Sequence, residues 1–228
     1  GIDPPILQIH AKPPAQIEAP VRIQNLSYQN ATYNISLIPF RPKANGEIEL
    51  DQELKSDSEY KRILSKVKIF ADGQELSQVI LAPRQTKTLR VQINIPEAEK
   101  ERDYYFSIVF ISSSEDQSQS SSFLGSRGGI ASNVLLSVTN GKLIPDGYIE
   151  QFSAPKFVTK GPVKFKLMVF NTSNAYTAVK GHIVMKNMFG QTIGSVDIVP
   201  VNILADTGRL LSSKDDLNSS DPKVIWNE

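Results

Sequence analysis

The residues with reactive side chains are few and scattered. Only two histidines occur, His10 and His182, and each falls on the polar side of an alternating apolar–polar run. A catalytic pair must converge, and these two lie in opposite halves of the chain, so both read as surface residues. Cysteine is absent, which excludes disulfides, thiolate metal sites and cysteine nucleophiles. The chain has no G-x-S-x-G, P-loop, G-x-G-x-x-G or H-E-x-x-H pattern, so hydrolase, nucleotide and zinc mechanisms lack their usual starting geometry. Ser126-Arg127-Gly128-Gly129 is rich in glycine. No Lys-Ser/Thr follows it, and no helix opens after it to offer amide dipoles to a phosphate. It reads as a hairpin shoulder.

Carboxylates offer one candidate. Glu47, Glu49, Asp51 and Glu53 alternate and would share one strand face, as glycosidase acids or calcium ligands might. The preferred reading is a solvated edge-strand face whose charges discourage edge-to-edge pairing. Asp215 to Asp221 resembles a calcium loop only in composition, lacks the spacing, and reads as a turn. Sequons begin at Asn25, Asn30, Asn34, Asn171 and Asn218; they would mark glycosylation in a secreted eukaryotic chain and carry no meaning in a bacterial one. No catalytic residue, metal ligand or cofactor-binding residue is assigned, and the chain reads as a non-enzyme.

The candidate contact residues are Phe123, Leu124 and Arg127. They stand in the polar, low-complexity segment from Ser112 to Gly129, expected to be a long hairpin loop. Phe123 and Leu124 either fold back on the protein or meet a partner, in which case Arg127 supplies a polar anchor.

The elements that position these residues are strands. Thr88 to Ile95 alternates without exception, with Leu89, Val91, Ile93 and Ile95 facing one way. Leu7, Ile9 and Ala11 form a second such set, Val21 and Ile23 a third, and Tyr33, Ile35 and Leu37 a fourth. Tyr104 to Ile111 is apolar on both faces, as a central strand is. Asn45-Gly46, Asp72-Gly73, Pro83-Arg84 and Asn140-Gly141 supply turns. Ser56-Asp57-Ser58-Glu59 reads as a capping box ahead of Tyr60, Ile63 and Leu64, predicting a short helix crossing between sheets. After residue 141 the pattern restarts, with inward sets at Val163, Phe165, Leu167 and Val169 and at Val179, Ile183 and Met185.

The fold expected is all-β: two tandem immunoglobulin-like β-sandwiches, residues 1–141 and 142–228, with one short helix in the first. The polar stretch after Ile203 leaves the second short of the seven or so strands such a domain needs. Trp226 is expected to open a further strand, with the closing hairpin beyond residue 228. The chain carries 25 basic and 24 acidic side chains and no basic run, so nothing favours nucleic acid. No apolar stretch approaches the ~18 residues of a membrane span. The first residues, Gly1-Ile2-Asp3-Pro4-Pro5, contain neither an initiator Met nor the apolar core of a signal peptide, so the signal and any membrane anchor are expected to lie outside the chain.

Several blocks resemble one family. Ile2 to Leu7 followed by Val21-Arg22-Ile23-Gln24-Asn25-Leu26-Ser27 and Ala31 to Ile35 looks like the opening strands of the WxL-interacting surface proteins of Gram-positive bacteria. Leu81 to Thr88 with Val91 to Pro96 is similar to that family's turn and alternating strand. Asp103-Tyr104-Tyr105-Phe106 stands where the family has a glycine–tyrosine pair, and the missing glycine is a departure. Gly161 to Phe165, Phe170 to Asn174 and Met188 to Gln191 resemble its second domain. The resemblance implies a membrane-anchored cell-surface protein whose first domain associates with peptidoglycan and whose second meets host or matrix proteins. Expected partners are therefore a protein or a cell-wall glycan, with no nucleic acid and no small-molecule cofactor. The alternative is a non-catalytic accessory region of a secreted cell-wall or polysaccharide-active enzyme, and a third reading is an enzyme using the Glu47 to Glu53 face.

Overall fold

The computed structural model describes residues 1–112, 129–156, 158, 161–217 and 219–227. The chain is all-β with one short α-helix. Its residues group into two compact units, 1–41 with 50–141, and 42–49 with 142–228. The grouping departs from a single cut after residue 141, because the turn around Ala44 bonds within the second unit. Leu210 N, for example, donates to Ala44 O at 2.7 Å.

The first unit is a two-layer sandwich. One sheet contains β1 (Ile2–Asp3), β3 (Ala15–Gln24), β9 (Thr86–Ile95), β6 (Val67–Ala71) and β7 (Gln74–Glu75), in that order. The other runs β2 (Ile6–Ala11), β11 (Gly129–Val138), β10 (Arg102–Ser112), β4 (Ala31–Pro42) and β5 (Ile48–Leu50), and β8 (Gln78–Leu81) also pairs with β4. The alternation in β9 produces its burial: Leu89, Val91, Ile93 and Ile95 are at most 1% exposed. Opposite them β10 contributes Tyr104, Phe106, Ile108 and Phe110 to the same core. Ser107 and Val109, on the other face of β10, are buried as well, as the two-sided apolar run requires. β6 and β7 are joined through Asp72 and Gly73, at φ 53° and 80°. A two-residue hairpin turn of this hand needs positive φ at both central positions, which favours Asp-Gly.

The helix α1 (Ser58–Leu64) connects β5 in one sheet to β6 in the other and buries Tyr60, Ile63 and Leu64. Its start differs from the expected box by one residue. Asp57, not Ser56, is the N-cap, and its carboxylate accepts from Glu59 N and Tyr60 N. A charged acceptor at the positive end of a helix outcompetes a hydroxyl. Glu59 consequently does not reach back to the cap; it pairs with Lys100 and Arg102.

The second unit contains β12 (Gly147–Ser153), β13 (Val163–Asn171), β14 (Thr177–Lys186), β15 (Thr192–Ile203), β16 (Thr207–Leu210) and β17 (Val224–Trp226). β13 is central to one sheet, with β12, β16 and β17 as neighbours, while β14 and β15 form a separate long hairpin. Trp226 lies at the end of β17, opposite Val163. The core gathers Val163, Phe165, Leu167, Ile198, Ile203, Leu211 and Val224, and is flanked by Val179, Ile183, Met185 and Val196, which are only half-buried. Among the described residues this unit has six strands.

Candidate functional site

The expected carboxylate face does not form. β5 spans only Ile48–Leu50, so Asp51 and Glu53 leave the strand. Asp51 instead accepts from Leu54 N at 2.8 Å and Arg41 Nε at 2.6 Å, bracing the 3-10 turn Leu54–Ser56 that leads into the helix. The Arg41 side chain, followed by the Leu54 amide, holds the Asp51 carboxyl below its ordinary 3.8. Glu53 begins that turn without a side-chain cap bond. Residues Asp215 to Asp221 brace a turn: Asp216 accepts from Lys223 N at 2.7 Å, and Asp221 pairs with Lys223 at 2.9 Å. Among the described residues no three His, Cys, Asp or Glu side chains gather into a metal-binding set. His10 and His182 are exposed, one on β2 and one on β14. Phe123, Leu124 and Arg127 lie outside the described residues.

A buried ionisable cluster in the first unit was not singled out from sequence. The Glu99 carboxylate is fully buried and receives both terminal nitrogens of Arg62, at 2.7 and 3.0 Å, and the Tyr104 hydroxyl at 2.6 Å. Arg102 lies over the Tyr104 ring, its guanidinium carbon 5.1 Å from the centroid. Burial, then the bond to Glu99, pushes the Tyr104 phenol far above its usual value. Both carboxylate oxygens are engaged, so the arrangement ties α1 and the 96–101 connection to β10.

Two of the sequons turn out to be twin structural latches. Asn25 is 1% exposed; its Nδ2 donates to Gln29 O, Leu81 O and Ala82 O, and its Oδ1 accepts from Ser27 N and Oγ. Asn171, 2% exposed, does the same in the second unit, donating to Ala175 O, Ile203 O and Leu204 O and accepting from Ser173 N and Oγ. In each latch the third captured carbonyl, Ala82 O or Leu204 O, lies two residues before a residue of positive φ, Arg84 at 61° or Asp206 at 54°. The carboxamide thus pins a turn on one strand to a turn on another. The serine of the Asn-x-Ser spacing, Ser27 or Ser173, serves this geometry.

Accessible apolar surface is concentrated in the second unit. β12 is exposed along its whole length, with Tyr148 stacked on Phe170 and Phe152 on Phe165. At the β14–β15 turn Met188 and Phe189 are 90% and 80% exposed. That turn is rigidly made: Asn187 N donates to Gln191 O, Asn187 Oδ1 accepts from Phe189 N and Gln191 N, and Gly190 takes φ 79°. The apolar pair is therefore presented on a preorganised tip. An open groove of about 760 Å³ is lined by Lys180, His182, Ile198 and Pro200 of the same hairpin together with Lys214 and Leu217.

No protein-family model matches the chain, and no curated protein matches it. Among solved structures the chain is similar to one from the chaperone–tip adhesin complex of CFA/I fimbriae biogenesis, at 12% identity and a TM-score of 0.49, covering 99% of this chain and 96% of that one. It is also similar to the E. coli chaperone DraB, at 8% identity and TM-score 0.45, covering 100% and 97%. A third is the CsuC–CsuE chaperone–tip subunit complex of Acinetobacter baumannii, at 11% and 0.44, covering 92% and 87%. At these values no residue role passes from those proteins to this chain.

Proposed function

We propose that the chain is a non-catalytic, extracytoplasmic binding module of the WxL-interacting type, meeting a protein or cell-wall glycan partner at the bacterial surface. The observation that carries the reading is the rigid β14–β15 tip, which holds Met188 and Phe189 in water where an isolated domain gains nothing from them. Large apolar side chains on a preorganised turn serve as anchors for a partner's pocket. The titratable clusters support binding over catalysis, because Asp51 and Glu99 are engaged by structural partners. The first unit is assigned to cell-wall association and the second to the protein partner, following the sequence resemblance.

The purified chain is expected to co-sediment with Gram-positive peptidoglycan sacculi and to retain proteins from a cell-surface extract. Replacing Met188 and Phe189 by serine should abolish the second without changing the first or the unfolding midpoint. Failure to sediment with sacculi removes the cell-wall assignment. Unchanged protein retention by the double variant removes the role of the tip.

A further inference from the structure

The second unit has a strand edge that asks for a neighbour. β14 pairs with β15 alone, and among the described residues the backbone along its other side has no strand partner. An open row of amide and carbonyl groups ten residues long is a template for another strand. The side chains on β14 specify what that strand must be. Val179, Ile183 and Met185 point to the core yet stay half-buried, so an added strand with apolar residues at alternate positions would cover them. On the opposite face Lys180, His182, Val184 and Lys186 follow at period two, all exposed, with Asp197 of β15 opposite His182.

We infer that β14 receives an extended segment of a partner protein in which apolar residues alternate with acidic ones, the acids lying beside Lys180, His182 and Lys186. The Met188–Phe189 tip holds one end of this segment. The inference rests on the reading of the chain as a protein-binding module and names the chemistry of its partner. A second copy of this chain is a poor occupant. Antiparallel self-pairing about Ile183 would set Lys180 against Lys186, and directly opposed like charges are destabilising.

A labelled nine-residue peptide of alternating valine and glutamate, added to the full chain, tests the inference. Trp226, the only tryptophan, lies against Gly194 of β15, whose partner on β14 is Met185, and reports burial at that face. Binding is expected with a shift of Trp226 emission to shorter wavelength. The valine–lysine peptide should bind about tenfold more weakly or worse, since like-charge oppositions replace attractive ones. The double variant Lys180→Glu/Lys186→Glu should reverse that preference. N-methylation of one alternate set of peptide nitrogens should abolish binding, while methylation of the other set is tolerated, because only one edge of the peptide joins the ladder. Equal binding of the two peptides, or equal effects of the two methylation patterns, would overturn the inference. A chain that ignores every peptide but still retains surface proteins through its tip keeps the proposed function and loses this one.

Discussion

At the scale of single residues the two asparagines do more than any candidate catalytic group. Asn25 and Asn171 each bury one carboxamide among three carbonyls and a serine. Alanine would remove the donors and leave buried carbonyls unpaired, a loss of about 3 kcal/mol at either site. Aspartate should be as harmful, because it sets an acceptor against acceptors. Urea unfolding of Asn25→Ala and Asn171→Ala measures this; a loss below about 1 kcal/mol at both would show that water replaces the amide. The sequence could not distinguish these latches from sequons, since Asn-x-Ser is the pattern of both. What separates Asn25 and Asn171 from Asn30 and Asn34 is burial, which arises only when distant turns come together.

Among the elements, the connection from β5 to β6 shows how local competition moves a boundary. Asp51 braces the 3-10 turn that Glu53 begins, and Asp57 takes the helix cap that the sequence offered to Ser56. This is why the alternating acids from Glu47 to Glu53 did not become a face: Asp51 is used as a brace and the strand ends at Leu50. The depressed Asp51 carboxyl has a definite pH signature. Its folded-state value lies below 3.8, so its stabilising effect is complete above the ordinary aspartate range and disappears as pH falls through the folded value. The difference in urea midpoint between the wild type and Asp51→Asn should be present at pH 7 and should close as the pH falls below that range. A difference that persists undiminished in acid would assign the effect to packing. β9, by contrast, was fully legible, because nothing competes with its four inward aliphatic residues.

For the molecule as a whole, the alternating runs and the restart after residue 141 made the all-β architecture readable, because period-two burial is written into each strand. Sheet order was not readable, nor was the attachment of residues 42–49 to the second unit, because both depend on contacts far apart in sequence. Much of the first sandwich is built from such contacts: β3 pairs with β9, and β2 pairs with β11 in parallel. Refolding from urea, followed by far-ultraviolet circular dichroism, is therefore expected on the order of milliseconds to seconds. Full recovery of the signal within a microsecond burst would contradict that topology.

The parallel pairing of β2 with β11 also bears on how the polypeptide folds as it is made. Ser132 Oγ closes on Pro4 O at 2.8 Å across 128 positions of chain. In synthesis from the amino end, the first strands made wait for almost the whole of their sandwich to follow. During that interval the strand of Leu7, Ile9 and Ala11 lacks the β11 residues it pairs with. Whatever meets the nascent chain must therefore shield an apolar leading end until the residues around Val134 and Leu136 arrive to close the barrier against water.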